Sequence, residues 1–202
     1  MCAIFGSFSK EKLKELHRLN SYRGELSYSL SVLRSSKDGC EVVSRIRGAG
    51  KIPEDTINSL LLEEGDYILG HTQAPTTEDT NIHPASVNGV DLWHNGIIKA
   101  HQVVSAGWDT KWLLEKIITE GVGVLSEIDG TFACVMYKTP NLYLFRNEIS
   151  PLFFDNELNL SSTKFSGAIP LPANIVFDVN IASRAIKEIA SFTTFHNPYF
   201  FV

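Results

Sequence analysis

Cys2 stands second in the chain, where removal of Met1 leaves a thiol and a free α-amine on one residue. A thiol of pKa about 8.5 is partly ionised at neutral pH, and an α-amine of pKa about 7.7–8.0 can take its proton directly or through a water. One residue then supplies both nucleophile and base. Taken alone, the same cysteine also reads as a small buried residue at the start of a strand.

A second set of chemistry-bearing residues lies further on. His71-Thr72-Gln73-Ala74-Pro75-Thr76, His83-Pro84 and Trp93-His94-Asn95-Gly96-Ile97-Ile98 put polar groups at the ends of two expected strands, where sites are commonly built. Asn95-Gly96 has the composition of a hairpin turn. Its chemical reading is an oxyanion hole: an Asn carboxamide and the backbone N–H of the following Gly can point at one developing negative charge. Losing one such donor typically costs about 2.7–4 kcal/mol. Both donors must converge on Cys2 for that reading to hold. His71 and His94 read as structural hydrogen-bonding residues, because the amine of Cys2 already offers a base.

Those residues need a scaffold. The 202-residue chain, 44% hydrophobic, is long enough for one continuous core, and no linker, repeat or low-complexity tract divides it, so one domain is expected. Residues 2–8 read as a buried strand, and Ser9 caps a helix over 10–20 with Leu13, Leu16 and Leu19 at helical spacing. Strands are expected at 29–33, 41–46 and 66–72, and a helix at 54–63 after Pro53. Asn88-Gly89 marks a hairpin between 85–87 and 90–93. Helical patterns follow at 108–120 and 181–191, with short strands at 130–137, 142–146, 152–154, 158–161 and 175–179. The whole is an α+β pattern rich in antiparallel strands.

Composition removes several classes of function. A net charge of −5 without clustered Lys or Arg argues against nucleic acid as a direct partner. Cys2, Cys40 and Cys134 are odd in number and show no CxxC or Cys/His spacing, which argues against a disulfide framework and a zinc site and for a reducing, cytoplasmic setting. Apolar runs fall far short of the roughly 20 residues a bilayer requires, and no secretory signal is read at the N-terminus.

In order along the chain, MCAIFG, Tyr22-Arg23-Gly24, HTQAPT, His83-Pro84, HNGII and Asp109-Thr110 resemble the signature of class II glutamine amidotransferases, which are N-terminal-nucleophile hydrolases. The resemblance continues through Asp129-Gly130-Thr131-Phe132-Ala133, Leu144-Phe145-Arg146-Asn147, Pro151-Leu152-Phe153-Phe154 and Leu160-Ser161-Ser162-Thr163, covering residues 2 to about 165. It implies a four-layer αββα sandwich and a Cys-dependent glutamine amidohydrolase or amidotransferase that forms a thioester and releases ammonia, with no metal or organic cofactor. Carried over residue by residue, it implies Cys2 as nucleophile and Asn95 and Gly96 as the oxyanion hole. It implies Asp109 for the substrate α-ammonium, Thr76 for a supporting polar contact, and Arg23 bracing the loop around the site. Without the resemblance, Asp109 reads as a helix cap and Arg23 as a solvated arginine in a turn.

The chain departs from the family at Gln73, where the family usually carries an arginine that grips the α-carboxylate of glutamine. Losing a charged hydrogen bond of about 1.5–3 kcal/mol weakens binding roughly 10- to 150-fold. Three explanations stand side by side: Arg45 or Arg47 takes over the carboxylate, the substrate lacks a free α-carboxylate, or turnover has been lost and the chain is a non-catalytic binding or regulatory subunit. No synthase or isomerase domain is read after the amidotransferase-like region, so either a separate ammonia-accepting protein or release of free ammonia is expected, the former being favoured. The aromatics of residues 195–202 are expected to pack into the core.

Overall fold

A computed structural model describes residues 2–37, 39–74, 81–103 and 107–197. Two largely antiparallel sheets face one another. The first, in the order β11-β9-β10-β1-β4-β2-β3, contains β1 (Ala3–Ser7), β2 (Ser27–Ser36), β3 (Gly39–Ala49), β4 (Tyr67–Gln73), β9 (Phe153–Phe154), β10 (Leu160–Ser161) and β11 (Ile169–Pro170). The second, in the order β13-β12-β8-β7-β6-β5, contains β5 (Ala85–Val87), β6 (Val90–Ile98), β7 (Gly130–Lys138), β8 (Asn141–Arg146), β12 (Ile175–Asn180) and β13 (Ala185–Ser191).

Period-two alternation explains how the layers stack. Along β1, Ile4 enters the core between the sheets while Ala3 and Phe5 face outward. There they meet Leu13 and Leu16 of α1 (Lys10–Asn20) and Ile57 of α2 (Glu54–Asn58). Along β7, Ala133, Val135 and Tyr137 point inward, and Phe132, Cys134 and Met136 point outward. The outward set packs on Leu113, Leu114 and Ile117 of α4 (Asp109–Glu120), beside the short α3 (Ala100–Val103). This is the expected four-layer αββα arrangement, with Trp93 fully buried in the central layer.

Local chemistry matches the expected signals in several places. Ser9 caps α1 by accepting from the Lys12 N–H. Asn88 and Gly89, both at positive φ, turn β5 into β6 as a two-residue hairpin of the primed type. Asn95-Gly96 forms no turn: both residues lie inside β6, paired with Ala133 and Phe132 of β7.

Three expectations are corrected. The helix at 181–191 is instead the strand β13, turned back by Arg184 at positive φ and paired along β12. Its Ile186 and Ala190, four apart, imitate a helical repeat but pack on different cores, one from each face of the sheet. The helix at 54–63 stops at Asn58, where Leu60 turns inward and Leu61 outward. Phe195 is not core: it is 57% exposed, whereas Phe192 is buried against Phe132. Residues 198–202 lie outside the described residues.

No helix among the described residues is long and apolar enough to cross a membrane. Among the same residues, no group of three or more His, Cys, Asp or Glu could hold a metal ion.

Candidate functional site

Cys2 leads into β1 on the same side as Ile4, so alternation turns its side chain toward the space between the sheets. The residue is buried. Ala3 pairs with Thr72, which sets Cys2 beside Gln73 at the end of β4. Burial pushes the Cys2 thiol up; a hydrogen bond from the Ala74 backbone N–H pulls it down, the Asp109 charge raises it and the Arg23 charge lowers it. The arginine and the amide donor therefore favour thiolate in a setting that otherwise resists ionisation.

Arg23 is itself buried, and its Nε donates to the Cys2 carbonyl at 3.0 Å. Gly24 follows because nothing larger fits: a Cβ there would run into the Gln73–Ala74 peptide. Arg23, Asn95, Gly96, Ile97, Thr131 and Ser150 help to line a cleft of about 320 Å³. A side chain at Gly96 would strike the Thr131 carbonyl oxygen, so close packing of β6 on β7 requires glycine there.

Asn95 faces the gap between the sheets. Its Nδ2 donates to Ser162 Oγ at 3.2 Å, and the same oxygen accepts the Ile4 N–H at 2.9 Å. Ser162 thus ties β6 of one sheet to β1 of the other. An amide nitrogen carries two hydrogens, so one remains for a ligand. The opposite wall of the cleft is shaped by Asn147, whose Oδ1 accepts the N–H groups of Phe132, Ile149 and Ser150 and whose Nδ2 donates to the Gly130 carbonyl.

Asp109 opens α4 with a side chain 25% exposed. Its Oδ1 accepts the Thr110 N–H and its Oδ2 accepts the Ile98 N–H, so the carboxylate is fixed two residues beyond Gly96. Behind it lies a buried histidine group. The Nε2 of His71 meets the His94 carbonyl and the Nε2 of His94 meets the Thr131 carbonyl, each at 3.2 Å. A carbonyl partner requires a proton on both nitrogens. Thr110 Oγ1, which donates to Asp109 Oδ1, lies within hydrogen-bond distance of both His94 Nδ1 and His83 Nε2. The His71 and His83 rings stack at 3.9 Å between centroids. Burial drives His71 down to about 3 and His83 well below its ordinary value. His71 and His83 are therefore neutral imidazoles at the joint between α4 and the strands.

Gln73 is buried at the end of β4. Ser27 Oγ donates to its Oε1 at 2.9 Å, and its carbonyl accepts the Leu26 N–H. Neither arginine offered as a substitute is at hand for the cleft. Arg45 is paired with Asp91, donates to Ser31 and lies over the Trp93 ring. Arg47 donates to the Pro84 carbonyl and lines a different cleft, with Trp108 and Ser86.

Of the residues singled out in the sequence, Arg23, Asn95 and Gly96 share one cleft. Cys2 is not among the residues lining that cleft and is tied to Arg23 through its backbone carbonyl; Asp109 bonds the Ile98 N–H next to Ile97, and Gln73 adjoins Cys2 from the neighbouring strand. Thr76 lies outside the described residues. Sequence reasoning missed Ser162, Asn147, Ser27 and Thr110 as supports. Ser27 sits in a strand, Thr110 in a helix and Ser162 just past β10 as unremarkable polar residues, and only a contact between distant segments gives them a purpose.

Comparison with known proteins agrees with the resemblance read in the sequence. No family model matches the chain. Over 114 residues it is 32% identical to glutamine–fructose-6-phosphate aminotransferase (isomerizing) of Xylella fastidiosa (strain 9a5c), covering 51% of this chain and 17% of that protein. Among solved structures it is similar to glutamine phosphoribosylpyrophosphate amidotransferase from B. subtilis, complexed with ADP and GMP (TM-score 0.64, 16% identity, 93% of this chain and 49% of that one). It is also similar to a structure described as the allosteric regulatory enzyme of purine biosynthesis (TM-score 0.62, 15% identity, 94% and 48%). The chain spans about half the length of those solved chains and a smaller share of the curated relative. Its fold is that of the glutamine amidotransferase structures, and the chain resembles class II glutamine amidotransferases.

Proposed function

We propose that the protein is a Cys2-dependent amidohydrolase that releases ammonia from the side-chain amide of glutamine or a glutamine-like compound. The observation that carries the reading is a pair of ties around the start of β1: Arg23 to the Cys2 carbonyl, and Asn95 of the other sheet through Ser162 to Ile4. Removal of Met1 frees the α-amine of Cys2, which takes the thiol proton. The sulfur then attacks the carboxamide carbon, and the Asn95 amide and Gly96 N–H receive the oxyanion. The carbon–nitrogen bond breaks, ammonia leaves with the proton held by the amine, and water cleaves the thioester to carboxylic acid and thiol. Asp109 is assigned to the substrate ammonium, and Thr76 to a polar contact with the bound amide.

A separate ammonia-accepting protein completes a transferase, and free buried thiols at all three cysteines accord with the reducing cytoplasm. Replacing Cys2 with Ala is expected to abolish ammonia release while leaving the thermal midpoint within a few degrees of the parent. Unaltered amide hydrolysis by that variant sinks the reading. The alternative, a non-catalytic subunit with this fold, draws on the uncharged Gln73. It predicts retained Met1 and no covalent adduct at Cys2 with a glutamine-like electrophile, both readable by mass.

A further inference from the structure

Resting on that amidohydrolase reading, we infer that the cleft is built for a glutamine whose α-amine is free and whose α-carboxyl is tied up in an amide bond, as at the N-terminus of a peptide. Free glutamine carries an α-carboxylate, and withdrawing it from water without a cationic partner is costly. The position beside Cys2 that the resemblance sets against it holds Gln73, an uncharged amide whose oxygen is already taken by Ser27.

The basic residues can be followed through the whole sequence, because residues 1, 38, 75–80, 104–106 and 198–202 contain no Lys or Arg. All 18 therefore fall within the described residues. Among the residues lining the cleft, Arg23 alone is cationic. Its Nε is spent on the Cys2 carbonyl, and its charge favours the thiolate. Arg45 and Arg47 are bound to Asp91 and to the Pro84 carbonyl. Lys99, next to Ile98, is paired with Asp129.

Beside the cleft the fixed charge is negative: Asp109, part-exposed and oriented by the Ile98 N–H. A carboxylate there attracts an ammonium and repels a second carboxylate. The lip of the cleft is apolar, formed by Ile97, which is 52% exposed, with Ile149 and Pro151. A peptide link in place of the α-carboxylate carries no charge and gains contact on that lip, whereas a free α-carboxylate would be stripped of water against it. The reaction balances as hydrolysis: a glutaminyl side chain and water give a glutamyl side chain and ammonia.

The test uses the purified full chain beginning at Cys2 and four substrates: glutamine, N-acetylglutamine, the dipeptide glutaminylglycine, and N-acetylglutaminylglycine. Ammonia release is measured for each, and conversion to the glutamyl product is read by mass. Expected is a kcat/KM for glutaminylglycine roughly 10- to 150-fold above that for glutamine, the span of one charged contact, with both acetylated compounds poorer than their free-amine partners. Glutamine turned over as well as or better than glutaminylglycine overturns the inference while leaving the amidohydrolase reading intact. Silence on all four substrates, with no adduct at Cys2, overturns both. The Gln73→Arg variant, checked for folding by circular dichroism, is expected to shift the preference back toward free glutamine by a comparable factor. An unchanged ratio in a folded variant counts against Gln73 as its source.

Discussion

At the scale of single residues, the proposed site depends on groups that hold its reactive side chains in place. Ser162 Oγ accepts from both Asn95 and Ile4, so it orients the amide that is proposed to stabilise the oxyanion. Misplacing a catalytic group by an ångström can cost about 100-fold. Ser162→Ala is expected to lower kcat by about 10- to 100-fold with KM within about twofold, because the donor is displaced rather than the substrate released. Steady-state kinetics decide it, and a loss confined to KM would speak against a positioning role. Asn95→Ala, which removes the donor itself, is expected to cost about 100- to 1,000-fold in kcat. Gly96→Ala is expected to disrupt the β6–β7 pairing, since the added methyl meets the Thr131 carbonyl. A parent-like thermal midpoint for it would contradict the contact.

At the scale of elements, much of the layout was legible because local chemistry and packing agreed. Ser9 before α1, Asn88-Gly89 between β5 and β6, and the apolar face of α4 each carried a local signal that the tertiary structure keeps. β13 was not legible: an Ala-Ile-Lys-Glu-Ile-Ala run has helical composition, and only the neighbouring β12 makes it a strand. Asn95-Gly96 could be read either as a turn or as an oxyanion hole, and β7 alongside removes the turn. The joint between α4 and the strands also has a pH signature. His71 and His83 stay neutral in the fold, depressed by burial to about 3 and to well below the ordinary value. In the unfolded chain each takes a proton near pH 6.5. Above about 6.5 the fold bears no such penalty. As pH falls from there toward about 3 the unfolded state binds protons the folded state refuses, so stability declines by up to about 1.4 kcal/mol per pH unit per histidine. Urea melts at pH 7, 6, 5 and 4 should show that fall. Thr110→Val, which takes the shared hydroxyl from His83 and His94, is expected to cost about 1–3 kcal/mol at pH 7.

At the scale of the whole molecule, the proposed nucleophile and the proposed oxyanion donors belong to different sheets. Cys2 leads β1 of one, and Asn95 and Gly96 lie on β6 of the other. The sequence could announce the residues but not that division, because neither half records which sheet it joins. Between the sheets lies a largely apolar layer around Ile4, Leu69, Trp93 and Val135, and apolar surfaces tolerate small sliding far better than directional hydrogen bonds do. The Asn95–Ser162–Ile4 bridge helps to set the alignment across that layer, together with the His71 contact to the His94 carbonyl and the Arg45–Asp91 pair. The two sheets therefore behave as the halves of a mould, whose cast is spoiled by an offset long before the halves come apart. Urea is expected to extinguish turnover at concentrations where ellipticity and tryptophan fluorescence still report a native fold, with Ser162→Ala widening the interval. Coincident activity and unfolding curves would mean that the halves separate without first slipping.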